Sequence, residues 1–176
     1  MKYIIGIGGM TNGGKTTLTN RLIKTLPNCY VIHQDDFYKP QDQIELGEDG
    51  FKQWDMLESL DMEAMLNTVL EWLNNPMKFA RTHGINIQQN SQESNSDDTH
   101  ILILEGFLLY SYNTCNYKVP DPPGLFDGHI WPMYQKYRQE MDNNGVDVVH
   151  IDGLKSRDEL YHQVLEDIQN TLLNRS

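Results

Sequence analysis

The chain has 176 residues, the length of one ordinary domain, and 25 Asp and Glu against 14 Lys and Arg leave a formal net charge of -11. That balance argues against a nucleic-acid partner and against docking on an anionic membrane, since both need surplus basic side chains. Hydrophobic residues at 39% and charged ones at 22% suit a packed core rather than a disordered chain, and two cysteines, Cys29 and Cys115, are too few for a disulfide framework. The apolar run at 3–7 breaks into glycine too early for an export signal. The longest apolar stretch, 101–110, is interrupted by Glu105 and Gly106 and is far shorter than a membrane span of ~20 residues. One cytoplasmic domain covering 1–176 is the expectation.

In chain order, residues 3–7 read as a short buried strand, followed by a glycine-rich turn and a helix over 15–24 with Leu18, Leu22 and Ile23 on one face. Pro27 ends that helix and 28–33 reads as a second strand. Apolar residues at Leu60, Met62, Met65, Leu66, Val69, Leu70 and Leu73 predict an amphipathic helix whose methionines belong to the core. Residues 83–100, rich in Asn, Gln, Ser and Asp, read as a mobile polar loop. The run 101–104 is apolar at every position, as a central parallel strand covered on both faces requires. A helix is expected over 132–141, a fourth strand over 146–151, and a last helix opened by the S-x-x-E box at Ser156 to Glu159, with Leu160, Val164, Ile168 and Leu172 as its stripe. Strand–helix alternation of this kind specifies an α/β fold: three layers around a mainly parallel central sheet.

The sharpest signal is Gly9-Met10-Thr11-Asn12-Gly13-Gly14-Lys15-Thr16, a full G-x-x-x-x-G-K-[ST] run between a strand and a helix, with Thr17 behind it. Such a loop turns successive backbone N–H groups and a helix N-terminus toward phosphate oxygens; Lys15 reaches the β- and γ-phosphates and Thr16 can ligate Mg²⁺. A chance Lys-Thr on a strand–helix turn is the competing reading, and the flanking elements disfavour it. Asp35 and Asp36 follow the second strand at its carboxyl edge, where ligands bind in open parallel sheets. A carboxylate there can take a hydroxyl proton in phosphoryl transfer, and Asp35 is assigned that role; a plain turn-forming pair is the alternative. Glu105, directly after an apolar strand, stands where such enzymes hold Mg²⁺, or else is a structural carboxylate at a strand end. Phe37, Tyr38, Trp54 and Asp55 offer flat faces and a carboxylate for an acceptor with a ring and a vicinal diol, although packing alone is the commoner use of such aromatics. The six histidines show no ligand spacing, and His129 reads as a packing or capping residue.

Taken together, G-I-G-G-M-T-N-G-G-K-T-T at 6–17, Q-D-D-F-Y-K-P at 34–40, Q-W-D at 53–55, L-E-G-F-L-L-Y at 104–110, F-D-G-H-I-W-P-M-Y at 126–134 and Asp152-Gly153 resemble the nicotinamide riboside kinases, within the uridine-kinase-like P-loop group. The resemblance implies a P-loop nucleoside-kinase fold and an enzyme that uses ATP and Mg²⁺ to phosphorylate the ribose 5′-hydroxyl of nicotinamide riboside, giving nicotinamide mononucleotide for NAD salvage. It implies Asp35 as general base, and Thr16, Asp35 and Glu105 around Mg²⁺. It further implies Asp35, Asp36, Phe37, Tyr38, Trp54, Asp55, Tyr117 and Lys118 at the nucleoside, and Lys155, Ser156 and Arg157 near the adenine. A pyridinium cation suits aromatic faces flanked by carboxylates.

The chain departs from that pattern at 112–117. Members of the family follow E-G-F-L-L-Y with a further strand and an arginine-rich lid, whereas here too few residues separate Tyr110 from Asp121-Pro122-Pro123-Gly124, and no arginine lies between Arg81 and Arg138. Cys115 stands where the pattern has a lid arginine. An arginine on the transferring phosphoryl group is worth about 10³–10⁵ in rate, so reduced turnover is expected. The alternative is a nucleotide-binding variant with a regulatory or protein-interaction role.

Overall fold

The computed structural model describes residues 1–9, 13–48, 50–54, 56–85, 99–106, 109 and 148–174. Three strands, β1 (Lys2–Ile7), β2 (Cys29–His33) and β3 (His100–Glu105), form a parallel sheet in the order β1-β3-β2. β3 is therefore central. It pairs Ile7 with Glu105 on one side and His33 with Glu105 on the other, so all three strands end together.

Alternation along the strands sorts the core into two layers. Cys29, Ile101 and Ile103 face α1 (Lys15–Thr25) and α4 (Arg157–Asn174), packing with Leu22, Leu26, Tyr161, Val164 and Ile168. Tyr30, Ile32 and Leu102 face the other way, onto Met65, Val69 and Trp72 of α2 (Met62–Asn74) and Phe79 and Ala80 of α3 (Pro76–Thr82). Period-2 strands with apolar residues at every position thus feed helices on both faces. The result is the expected three-layer α/β architecture of a P-loop kinase.

Helix ends follow local chemistry. Asp61 caps α2 by accepting from the N–H of Ala64 at 2.9 Å, and Asn75 caps α3 by accepting from Lys78 at 2.9 Å with Pro76 behind it. The box at the start of α4 is reciprocal: the N–H of Ser156 donates to Glu159 Oε2 at 2.9 Å and the N–H of Glu159 donates to Ser156 Oγ at 3.3 Å. α4 is tied to α1 through Arg21, which pairs with Asp158 at 2.7 Å and lies 3.9 Å from the centre of the Tyr161 ring. No helix among the described residues is long and apolar enough to cross a membrane.

Four expectations are corrected. α2 starts at Met62 rather than Leu60, because Leu60 is used in a bridge to Tyr38. Its buried face is Met65, Val69 and Trp72, spaced i, i+4, i+7, which turns Leu66 and Leu70 outward to 57% and 50% exposure. The polar segment is shorter at both ends than 83–100: the His83 ring stacks on Phe79 at 4.0 Å, and His100 is a buried strand residue opposite Lys2. Residues 148–151 take no strand conformation, and Ile151 is instead packed against the α1–α4 core. Val146, Asp147, the expected helix over 132–141, His129 and the 112–117 segment lie outside the described residues, as do 86–98 of the polar segment.

Candidate active site

The common carboxyl edge of the strands brings together the described parts of three sequence motifs, 13–16, 34–37 and 104–106. Gly14 opens α1 as its N-cap with φ 82, a left-handed conformation that a side chain would strain, and so delivers Lys15 and Thr16 as the first residues of the helix. Glu105 closes β3 at the same edge and is 5% exposed. Thr16 Oγ1 donates to Glu105 Oε1 at 2.8 Å, and His33, at the end of β2, meets Glu105 Oε2 at 2.5 Å through Nδ1. A carboxylate only accepts, so that ring nitrogen carries the proton. Two strands and the loop helix thereby converge on one carboxyl group.

The charges of this cluster act on one another. Burial pushes the Lys15 ammonium below its ordinary value, although Glu105 and Asp35 pull the other way. Burial also raises Asp35, and Glu105 and Asp36 add to it, while Lys15 and His33 oppose it. Burial would raise Glu105 as well, but hydrogen bonds from His33 and Thr16 and the charges of His33 and Lys15 outweigh it and hold the carboxyl below its usual range. The bond to Glu105 raises His33; burial opposes this, and the Glu105, Asp36 and Asp35 charges assist. The two carboxyls are thus pushed in opposite directions, Glu105 toward losing its proton more readily and Asp35 toward keeping it.

Asp35 and Asp36 lie on a single 3-10 turn, Gln34–Phe37, that carries β2 into an irregular segment running to α2. Backbone bonds fold that segment back: Lys39 N–H donates to Ser59 O and Asp61 N–H donates to Phe37 O, both at 2.8 Å. Inside it, the Tyr38 and Trp54 rings meet edge to face at 5.7 Å and 77°. The Ser59 hydroxyl bonds the carbonyls of Trp54 and Met56 at 2.8 and 2.6 Å.

Known proteins share this chain throughout its length. Nicotinamide riboside kinase 2 of Homo sapiens is 65% identical over an alignment that takes in 100% of this chain and 85% of the relative. That of Mus musculus is 62% identical with both chains covered completely, and nicotinamide riboside kinase 1 of Rattus norvegicus is 44% identical over 97% of this chain and 95% of its own. The chain belongs to the nicotinamide riboside kinase family. No family model matches it. The mouse alignment is 200 positions long, and 200 less the 176 residues here leaves 24 positions with no counterpart inside this chain.

Of the site residues that the resemblance implies, Lys15, Thr16, Asp35 and Glu105 are brought together, and Tyr38 and Trp54 form a pair beside the turn that carries Asp35 and Asp36. Phe37 turns into the core against α2 and α3. Lys155, Ser156 and Arg157 lie at the start of α4, where Lys155 Nζ donates to Gln163 Oε1 at 2.8 Å and Ser156 is engaged in the capping box. Met10, Thr11, Asn12, Asp55, Tyr117 and Lys118 lie outside the described residues. The oxygen donors are a hydroxyl and two carboxylates, and no group of three or more His, Cys, Asp or Glu among the described residues could hold a metal alone. Such a set fits an ion that takes few protein ligands and fills its shell from phosphates and water, as Mg²⁺ does.

Two residues at this edge are not legible as such in the sequence. His33 reads there only as the end of a strand; its register opposite Glu105 is a long-range fact. Gln34 is 1% exposed and lies over Gly106, where an added Cβ would come within 2.7 Å of the Gln34 Cβ. A glycine after the acid of an apolar strand was the available signal for that close approach.

Proposed function

We propose that the chain phosphorylates nicotinamide riboside at the ribose 5′-hydroxyl with ATP, giving nicotinamide mononucleotide and ADP, as a cytoplasmic enzyme of NAD salvage. The observation that carries this reading is the convergence of Lys15, Thr16, Asp35 and Glu105 at one sheet edge, in a chain whose relatives are named for that kinase activity. Asp35 accepts the hydroxyl proton as the oxygen attacks the γ-phosphorus, and the bond to the β-phosphate oxygen breaks to release ADP. Lys15 and the N–H groups of the loop bind the phosphates. Thr16, Asp35 and Glu105 would hold Mg²⁺, directly or through water, and the ion would supply positive charge to offset that of the phosphoryl oxygens. Tyr38 and Trp54, with Asp36, Asp55, Tyr117 and Lys118, receive the nucleoside, the aromatic faces against the pyridinium cation. Lys155, Ser156 and Arg157 lie toward the adenine.

ADP release from ATP should depend on nicotinamide riboside and vanish in Asp35→Asn. Equal slow release by wild type and variant would sink the reading. The 24 unmatched positions favour a second one, a nucleotide-binding variant of low turnover with a regulatory role, in which the strand and lid expected after Tyr110 are the missing part. Thermal stabilisation by ATP with Mg²⁺ but no detectable mononucleotide would establish that variant; turnover at the rate of a full-length relative would eliminate it.

A further inference from the structure

Glu105 is held at both oxygens, and only one of the two partners belongs to the nucleotide loop. Thr16 holds Oε1 from the first turn of the helix that the loop opens. His33 holds Oε2 at 2.5 Å, from a strand that contributes nothing else to the carboxylate. The contact follows from register: His33 and Glu105 are direct partners across the parallel pair, so their side chains leave the sheet on the same side. A glutamate pinned at one oxygen can still swing its plane about the last side-chain torsion; a second donor removes that freedom. Each carboxylate oxygen has two lone-pair directions, so one on each remains open.

We propose that His33 is a positioning residue for the metal side of the site: its Nδ1–H fixes the plane of the Glu105 carboxylate so that the open lone pairs are aimed at the Mg²⁺ that accompanies the nucleotide. This rests on the reading of Glu105 as the metal-side carboxylate. Partners of this kind set ligand orientation and typically matter about 10–100-fold in metal affinity. A histidine that served only to join two strands would instead affect every ligand alike, through stability.

The test uses a fluorescent ADP analogue bound with and without Mg²⁺. In wild type, Mg²⁺ tightens binding. In His33→Phe, that gain should fall by about 10–100-fold while metal-free binding stays roughly unchanged. In His33→Asn, whose amide nitrogen can replace Nδ1, most of the gain should return. A Phe variant with the full wild-type gain overturns the proposal, as does an Asn variant no better than Phe or a parallel loss of metal-free binding. Should His33→Phe not fold, His33→Leu against His33→Asn makes the same comparison. A wild type whose binding is indifferent to Mg²⁺ overturns the reading of Glu105 itself, and His33 with it, a result distinct from a wild-type gain that His33 does not influence.

Discussion

The proposed phosphate side and the proposed acceptor side of this site are built by different means. Thr16, His33 and Glu105 project from the ends of regular elements and meet side chain to side chain, with the carboxylate of β3 as hub and the Lys15 charge acting on it. The described residues of 37–61 form no helix longer than a turn before α2, and backbone bonds hold them: the Lys39–Ser59 and Asp61–Phe37 pairs, Gln53 N–H to Glu45 O at 2.9 Å, and a single-residue bridge from Leu46 to Lys52. Phosphate binding needs fixed charges, which rigid element ends supply. Receiving and releasing a nucleoside asks for a segment that can adjust, and irregular backbone pinned by local bonds, such as those of the Ser59 hydroxyl and the Lys52 ammonium to carbonyls, rather than by a shared buried carboxylate, suits that. Asp35 is at the junction, one residue after Gln34 and one turn ahead of the acceptor aromatics.

Substitution at the junction should have the largest effect. Asp35→Asn keeps the shape and removes the proposed base, and kcat should fall about 10²–10⁴-fold with little change in metal-free ATP binding. A loss confined to the KM of the nucleoside would instead assign Asp35 wholly to the acceptor side. Next comes Gly106→Ala, on the phosphate side. Its methyl would lie 2.6 Å from Gln34 Oε1 and 2.7 Å from Gln34 Cβ, inside a residue that cannot swing outward. Unfolding in urea should show a loss of about 1–3 kcal/mol. Because the Gln34 Cβ itself is in the way, Gln34→Ala added to Gly106→Ala should recover little.

The acceptor side should respond in the opposite manner. Trp54→Ala removes the partner of Tyr38, an edge-to-face pair worth about 0.5–1.5 kcal/mol, so stability should fall by no more than about that much. The aromatic face lost to the pyridinium should show as a several-fold rise in the KM for nicotinamide riboside at unchanged KM for ATP. A large drop in melting temperature would mean that the segment is as rigid as the phosphate edge and would erase the distinction.

The same division explains what could be read without coordinates. The phosphate loop is a local pattern, eight residues whose backbone does the work, and the apolar run 101–104 announces a strand buried on both faces; each is complete within its own stretch. The Ser156–Glu159 box was legible for the same reason. His33 was not, because its role depends on which residue of a strand about seventy positions later comes to rest beside it. Nor was α3, a seven-residue helix signalled only by Asn75-Pro76, an N-cap and N1 pair too short to show a period. Leu66 and Leu70 misled because an apolar tally cannot say which of two adjacent faces a helix turns to the sheet.

The smallest effect, and the one that isolates the hub, is the pH dependence of stability. On folding, the Glu105 pKa moves below its ordinary 4.5 and the His33 pKa above its ordinary 6.5. The lowered acid contributes stability that is complete above 4.5 and is lost as pH falls through the folded Glu105 value. The raised histidine contributes stability that is complete below 6.5 and is lost as pH rises through the folded His33 value. Their sum is therefore greatest between 4.5 and 6.5 and declines on both sides. Asp35 does not imitate the alkaline limb: its pKa is raised, so its ionisation costs stability as pH climbs through the carboxylate range and adds nothing further once complete. In His33→Asn the hydrogen bond can persist but the imidazolium cannot form. The stability difference between wild type and this variant, from urea midpoints, should be greatest in the 4.5 to 6.5 window and shrink toward zero in alkaline solution. A difference that stays constant with pH would show that His33 holds Glu105 as a neutral donor only, and the phosphate edge would then owe its rigidity to geometry rather than charge.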